Sequence, residues 1–370
     1  ETIGNVELQR LRLNEVNAIQ DLNHGQAMVN FKPAYGVGIL GNCCTHGAGA
    51  AGQFLRHPET QVVTGFESKP DRGGELQEAM QAALATCYEE VIHHPDVQIL
   101  VVTSDPCDKA DLVEQAAAAK KPIFINKPLC HSPSAAQRIE AAIRKACVPA
   151  VFDAPMIKQV AAFDKLLKDV RNGRFGQVIS YYHTFGMLFQ EGFPIQSNWP
   201  ERFDPAAVSG GGEMTNMGCY AIDYAVQMLG MPEGVEARSQ SFWKPYVETE
   251  VENYGQLVLD YGRFWAILAV GKQAVRGERS HRNALTIEFE NGNLFLDPDA
   301  AIMIQNGKVQ PVESFLEGHG STPAIDQLLR CIEHGEPPDS DVPTAARGVE
   351  VLCAGYRSAL DGSPVGLPLQ

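Results

Sequence analysis

No run of apolar residues in this chain approaches the roughly 18–20 that a membrane-crossing helix needs. A basic leader followed by an apolar stretch is missing too. So is an excess of positive charge: 30 Lys and Arg stand against 45 Asp and Glu, a formal net charge of −15. That balance argues against a nucleic-acid-binding surface and against an anionic-membrane partner, because both need clustered Lys and Arg. A small local basic pocket stays compatible with it. There is no C-x-x-C, and the nine cysteines fall at irregular spacings. Reduced, mostly buried thiols are therefore expected rather than a disulfide framework, and no metal site is expected. The adjacent pair Cys43-Cys44 is too short for an ordinary disulfide. These absences point to the cytoplasm. The chain begins at Glu1 rather than Met, so export with a leader since removed stays open beside that reading. Internal repeats and low-complexity tracts are also absent.

What is present is enough chain for about two domains: 370 residues, 44% apolar and 20% charged. Residues 1–34 carry apolar positions at Leu8, Leu11, Val16, Ile19 and Leu22 without an obvious core of their own, and read as an N-terminal arm. From Tyr35 short apolar runs alternate with helical stretches. Strands are expected at 35–40, 61–66, 97–103, 122–125 and 150–152, with helices after the first strand and at 75–93, 109–119 and 132–145. That rhythm is the signature of βαβ units around a parallel sheet, placing an α/β Rossmann-type domain at 35–153. Beyond it, a helix near 159–172 precedes strands at 176–185, 235–243, 254–260, 264–270, 284–290 and 292–296, with Asn291-Gly292 as a hairpin turn. Helices return at 322–334 and 344–360. Residues 154–370 thus read as an α+β domain with a large, mostly antiparallel open sheet. An open sheet face makes a homodimer or homotetramer the expected assembly.

Residues 47–52 spell Gly-Ala-Gly-Ala-Ala-Gly, a literal G-x-G-x-x-G. A dinucleotide turn must start where the first strand ends, at Leu40, so that its backbone approaches a pyrophosphate at a helix N-terminus. Starting at Gly47 would leave too little helix. The phosphate turn is therefore placed at 41–47, with Gly41, Asn42, Cys43 and Cys44 toward the cofactor and the literal match inside the helix. Cys43 occupies the position of the usual second glycine, where its Cβ crowds a pyrophosphate. Glu67, ending the second strand, is set to accept from ribose hydroxyls and favours NAD over NADP. Ser68, Lys69 and Arg72 are the alternative, able to hold a 2′-phosphate. Thr103 and Asn126, at the ends of the third and fourth strands, complete the expected cofactor set.

Two further features carry chemistry. Asn126-Lys127-Pro128 places a lysine at a strand's carboxyl end, where ligands of open α/β sheets bind. The proline, which has no N–H, fixes where that lysine points and suits a cis bond. Gly210-Gly-Gly opens a helix on which Asn216, Tyr220 and Asp223 recur at i, i+4 and i+7, one polar face on an otherwise apolar helix. A buried hydrogen-bonded network and a substrate-facing set are both compatible with that stripe. Aromatics gather at Tyr181, Tyr182, Phe185, Trp199 and Trp243. Alternation places Tyr181, His183 and Phe185 on one strand face and Tyr182 on the other. Trp199 and the polar His183 are candidates for the substrate side. A satisfied core histidine is the alternative for His183.

Together the strand and loop at 36–47, Asn126-Lys127-Pro128, the Gly210-Gly-Gly helix and the ending from Pro343-Thr-Ala-Ala-Arg to Ser358-Ala-Leu-Asp-Gly-Ser-Pro-Val-Gly-Leu-Pro resemble the Gfo/Idh/MocA family, over roughly residues 35–370. The resemblance implies a Rossmann domain, a C-terminal open-sheet domain used for dimers or tetramers, and NAD(P)-dependent chemistry on sugars or polyols. Lys127 falls on the family's active-site lysine, Tyr220 where most members carry a catalytic histidine, and Asn216 where many carry an aspartate. A tyrosine there, with an N-terminal arm, is similar to the glucose–fructose oxidoreductase branch. The chain departs from the family at Cys43, at Asn126 in place of Glu, and at Lys109-Ala110, where a histidine is often found.

A histidine base needs a carboxylate to orient it and a tyrosine does not, so Asn216 with Tyr220 is a matched exchange. A phenol of pKa about 10 is made more acidic by an ammonium such as Lys127, and can relay a hydroxyl proton. The expected function is an NAD(P)-dependent oxidoreductase of a secondary hydroxyl, with Lys127 and Tyr220 catalytic and Asn216, Asp223, His183 and Trp199 on the substrate side. Two alternatives accompany it: redox-neutral glycoside cleavage by transient oxidation and elimination, and a non-catalytic binding protein on the same scaffold.

Overall fold

The structure, a computed structural model, describes residues 34–154, 163–189, 209–242, 244–249, 251–274, 281–297, 300–305, 307–311, 324–339 and 341–369. The arm expected at 1–34, apart from Ala34, lies outside the described residues, as do Trp199 and Trp243.

Five strands make a parallel sheet: β1 (Tyr35–Leu40), β2 (Thr60–Phe66), β3 (Ile99–Val102), β4 (Ile123–Asn126) and β5 (Ala150–Asp153), in the order β2-β1-β3-β4-β5. β3 and β4 are buried at every residue. That is why their sequences run continuously apolar instead of alternating. The order reverses between β1 and β3, the switch point at which open α/β sheets bind ligands.

The expected helix at 75–93 is in fact two, Pro70–Met80 and Tyr88–His93. Gln81 takes a left-handed φ of 53° and ends the first. The chain then runs beside β2, with Ala85 N–H donating to Gly65 O at 2.9 Å and Thr64 Oγ1 to Ala83 O at 3.0 Å.

The second sheet has nine strands: β6 (Val178–Phe189), β7 (Gly234–Gln240), β8 (Tyr254–Asp260), β9 (Trp265–Ala274), β10 (His281–Phe289), β11 (Gly292–Asp297), β12 (Ala300–Gln305), β13 (Lys308–Pro311) and β14 (Val365–Gly366). They run β13-β12-β11-β10-β6-β9-β8-β7-β14. All pairs are antiparallel except β6–β9. One face is apolar and covered: Tyr181 and Phe185 of β6 and Ala266, Leu268 and Val270 of β9 join the core that helices Cys219–Leu229 and Val342–Asp361 pack into. The other face leaves Tyr182, Trp265, Phe295 and Val309 exposed.

Helix Ala324–His334 does not pack on this sheet. Its Ala324, Ile325, Leu328 and Leu329 share a core with Val37, Phe124 and Val151 of the parallel sheet, so the chain crosses back late in its course. Among the described residues no helix is long and apolar enough to cross a membrane, and no group of three or more His, Cys, Asp or Glu could hold a metal ion.

Candidate active site

The site is built from the ends of β1, β3 and β4. After Leu40 the chain turns at Gly41, whose φ is 94°. A Cβ there would lie 2.4 Å from Ser104 Cα, so only glycine fits. Cys43–Thr45 forms a 3-10 turn, and the helix starts at His46. The literal glycine motif does lie inside that helix. Gly47 packs on Gly41 O, where a Cβ would sit at 2.2 Å, whereas Gly49 meets nothing within 4 Å. Gly47, Ala50 and Ala51 are therefore the small residues that bring the helix onto the sheet.

Asn42 is buried and ties the turn together. Its N–H donates to Glu67 Oε2 at 2.5 Å, its Oδ1 accepts from Ala48 N–H at 2.9 Å, and its Nδ2 donates to Arg72 O at 3.2 Å. Glu67 also accepts from Lys69 N–H at 2.8 Å through Oε1. Thr103 staples β1 to β3: its Oγ1 donates to Gly41 O at 2.6 Å and its carbonyl accepts from Cys43 N–H at 2.9 Å. Lys69 Nζ and Arg72 Nη1 both reach Asp105, at 2.8 and 2.7 Å. Burial works against the charge of Asp105, but the bonds from Lys69 and Arg72 outweigh it and hold the carboxyl below its ordinary range. The Cys43 and Cys44 sulfurs lie 4.0 Å apart. That contact, with burial, pushes the Cys43 thiol well up.

At the end of β4 the Lys127–Pro128 bond is cis. Lys109 is buried and donates to Asn126 O, and to Pro128 O at 2.6 Å, so it clasps the carbonyls on either side of Lys127. Burial pulls its ammonium down to about 8. The Asn126 side chain donates to Asp153 Oδ2 at 3.1 Å, while its buried Oδ1 finds no partner among the described residues. Lys127 Nζ donates to Asn216 Oδ1 at 2.5 Å and sits over the Tyr220 ring, 5.0 Å from its centroid.

The second half supplies the facing wall. Gly210, Gly211 and Gly212 form the entry turn, with φ of 83° and 138° at the first two. At Gly211 a Cβ would lie 2.1 Å from Tyr356 Oη, and at Gly212 2.2 Å from Glu252 O. Glu252, whose carboxyl burial pushes up, accepts from Gly212 and Met214 N–H and from Tyr356 OH. A π-helical turn at Met214–Gly218 then presents Asn216, and the regular helix begins only at Cys219.

Cys43, Cys44, His46, Ser104, Asp105, Lys127, Gly211, Gly212, Glu213 and Asn216 are among the residues that line one cleft between the halves. Tyr220 packs beside it, its ring against Phe185 at 5.2 Å. Asp223, expected on the substrate side, does not line the cleft; it accepts from Gln227 Nε2 at 2.6 Å. His183, also expected there, is buried with Nε2 2.9 Å from Asn283 Oδ1 and Nδ1 3.3 Å from Tyr181 Oη. Its ring packs edgewise among Tyr181, Phe185 and Tyr224, and burial pulls its imidazole down to about 4. This is the arrangement of a satisfied core histidine.

Sequence reading missed Lys109, Glu213, Tyr246, Glu252, Lys272 and Tyr356. Lys272 carried a usable signal: it continues the inward register of Ala266, Leu268 and Val270, which predicts a buried cation in need of a partner.

A parallel sheet with a glycine turn at its switch point, joined to an open nine-stranded sheet, defines a Rossmann-type nucleotide-binding protein with an appended α+β half. Comparison with known proteins narrows this. Residues 35–152 match the oxidoreductase family with an NAD-binding Rossmann fold, and residues 163–295 match the GFO/IDH/MocA C-terminal domain. The chain belongs to the GFO/IDH/MocA oxidoreductase family.

It is 22% identical over 240 residues to scyllo-inositol 2-dehydrogenase (NADP(+)) IolW of Bacillus subtilis, covering 64% of this chain and 62% of that protein. It is 25% identical over 177 residues to an uncharacterized oxidoreductase of Schizosaccharomyces pombe, covering 48% and 46%. The chain thus spans between about half and three fifths of the length of these curated relatives. The structure of levoglucosan dehydrogenase, in complex with NADH and levoglucosan, is similar with a TM-score of 0.74 at 16% identity, covering 90% of this chain and all of that one. That likeness shows the fold.

Proposed function

We propose that this protein is an NAD-dependent oxidoreductase acting on a secondary hydroxyl of a sugar, polyol or glycoside, with Lys127 and Tyr220 at the reacting oxygen. The observation that carries the reading is convergence. Lys127 comes from the parallel sheet, Asn216 and Tyr220 from the other half; Lys127 and Asn216 line the cleft that starts from the Gly41 turn, and the buried Tyr220 ring lies against the Lys127 ammonium behind it.

The residues fit a dinucleotide. The cleft lies at the switch point, Glu67 stands at the end of β2, and the orphaned Asn126 Oδ1 is an acceptor that a ribose or amide donor would satisfy. NAD(P), when bound, supplies a hydride acceptor or donor. The turn at 41–46, Glu67 and Asn126 would hold it. Lys127 then donates a hydrogen bond to the reacting oxygen, and its fixed charge is worth most where charge develops in a dry cleft. Tyr220 relays the hydroxyl proton. Asn216 keeps Lys127 directed.

NAD is favoured over NADP because the two cations able to take a 2′-phosphate, Lys69 and Arg72, are already engaged by Asp105. On the same reading the chain divides into an arm at 1–34, a nucleotide half at 35–153 and a substrate half at 154–370, from which helix Ala324–His334 returns to the first sheet. Self-association would use the outer sheet face carrying Tyr182, Trp265, Phe295 and Val309, giving a dimer or tetramer. Nine free thiols suit the reducing cytoplasm.

The test incubates the purified chain and NAD+ with scyllo-inositol, glucose and levoglucosan, and follows the absorbance of reduced nicotinamide. Formation of reduced nicotinamide that disappears in Lys127→Ala, with NAD+ binding kept, is expected. Conversion unchanged in Lys127→Ala refutes the assignment. A glycoside cleaved with no net reduced nicotinamide would assign the transient-oxidation chemistry instead.

A further inference from the structure

A line of hydrogen bonds runs inward from Lys127 and ends on a second lysine. Lys127 Nζ donates to Asn216 Oδ1 at 2.5 Å and to Asn216 O at 3.2 Å. Asn216 Nδ2 donates to Glu213 Oε2 at 2.9 Å. The other oxygen of Glu213 accepts from Tyr246 OH at 2.6 Å and from Lys272 Nζ at 2.6 Å. Lys272 Nζ also donates to Tyr246 Oη at 3.2 Å. Glu213, Tyr246 and Lys272 are each no more than 1% exposed.

A primary amide offers an acceptor on one side and donors on the other, so whatever meets one side decides what the other side presents. An ionised carboxylate only accepts. Facing Glu213, Asn216 must present its NH2 inward and therefore its oxygen toward Lys127. Lys272 supplies the opposite charge without which a buried carboxylate is strongly disfavoured. The pair comes from two elements that sequence separates: Glu213 enters the π-helical turn, and Lys272 lies on the buried face of β9.

We infer that Glu213, held by Lys272 and Tyr246, is a positioning residue that fixes the Asn216 amide with its oxygen toward Lys127 and so sets the direction of the Lys127 ammonium. Its consequence for turnover rests on the proposed role of Lys127; the geometry itself does not. The carboxylate acts one residue away from the lysine it controls, through a neutral relay.

The test uses the cofactor-free full chain labelled with trace acetic anhydride. Acetylation of Lys127 is read by peptide mass spectrometry relative to the exposed Lys120. With Glu213→Gln the inner partner can donate as well as accept, and the Asn216 amide is free to present either side. Losing the charge-assisted bond raises Lys127 labelling about tenfold. The double variant E213Q/N216D exchanges carboxylate and amide while keeping a donor facing an acceptor at every step, and returns labelling to the wild-type rate or below it, because a carboxylate now faces Lys127 directly. In turnover, E213Q lowers kcat with the NAD+ Kd unchanged.

Labelling in E213Q within twofold of wild type overturns the inference, as does a double variant no better than E213Q. Should E213Q alone fail to fold, the double variant is expected to fold and to label no faster than wild type; if it does not, the inference falls. Labelling needs neither cofactor nor substrate. A protein that labels as expected yet converts nothing refutes the proposed function and leaves the role of Glu213 standing.

Discussion

Replacing Asp105 by asparagine tests the proposed preference for NAD over NADP. Asp105 accepts from Arg72 at 2.7 Å and from Lys69 at 2.8 Å, and both Asp105 and Arg72 are buried. Removing one partner of a buried ion pair costs about 3–5 kcal/mol. Asparagine keeps one acceptor oxygen, which places the loss near the lower end. Lys69 is 36% exposed, and its share is discounted to about 0–1 kcal/mol. A loss of about 3 kcal/mol, at roughly 1.3 °C per kcal/mol for 370 residues unfolding with about 2.1 cal/mol/K each, lowers Tm by about 4 °C.

The freed cations then favour a 2′-phosphate. One charge-assisted hydrogen bond of about 1.5–3 kcal/mol corresponds to about a tenfold to hundredfold tighter NADP+, while NAD+ changes little. NADP+ should also restore much of the lost Tm. The acid limb changes as well. A carboxyl held below its unfolded value stabilises the fold above about pH 3.9 and loses that contribution as pH falls through its folded value, so Asp105→Asn flattens this limb. Calorimetric titration with both nucleotides, beside thermal melts, reads all three. An unmoved Tm together with an unchanged NADP+ to NAD+ ratio refutes the reasoning.

Tyr220→Phe keeps the ring that packs on Phe185 and under Lys127. It should lower kcat by about 10²–10⁴ with NAD+ affinity kept, and wild-type turnover in steady-state kinetics would remove Tyr220 from the chemistry. His183 is held at about 4, so the unfolded chain takes up its proton first as pH falls. Its contribution is fully present above about pH 6.5 and is lost between there and pH 4, about 3 kcal/mol in all. In His183→Gln, denaturant melts at pH 7 and pH 4.5 should differ by correspondingly less than in wild type. Trp265→Glu puts a charge on the exposed sheet face; light scattering should report a smaller assembly than wild type, and an unchanged mass places the interface elsewhere.

The parallel sheet was legible because buried strands and alternating helices write their period into the chain. β3, β4 and β5 sit within a residue or two of where their apolar runs place them. The break at Gln81 was not legible, since a left-handed residue closing a helix depends on the edge of β2 beside it. β12 and β13, and the short β14, went unread; the last pairs by two residues with β7, over a hundred positions earlier.

In the site, Gly41, Lys127 and Asn216 were visible as residues out of place in their surroundings. The helical spacing that grouped Asp223 with Asn216 and Tyr220 assumed an unbroken α-helix. A π-helical turn intervenes at Met214–Gly218, and the Asp223 carboxylate turns to Gln227. His183 stood out as polar among aromatics, yet Tyr181 and Asn283 satisfy it. Asn283 lies on a different strand, paired only in the fold. Glu213 met Lys272 for the same reason, and no spacing rule joins them.

The central claim is that the Lys127 ammonium and the Tyr220 phenol stand beside the nicotinamide. A crystal structure of the full chain with NAD+ and scyllo-inositol tests it most directly. The nicotinamide and a substrate hydroxyl should lie within about 3–4 Å of one another, with Lys127 bonded to that oxygen and the adenosine ribose at Glu67. A nucleotide seated away from Lys127, with its ring against other side chains, would contradict the account.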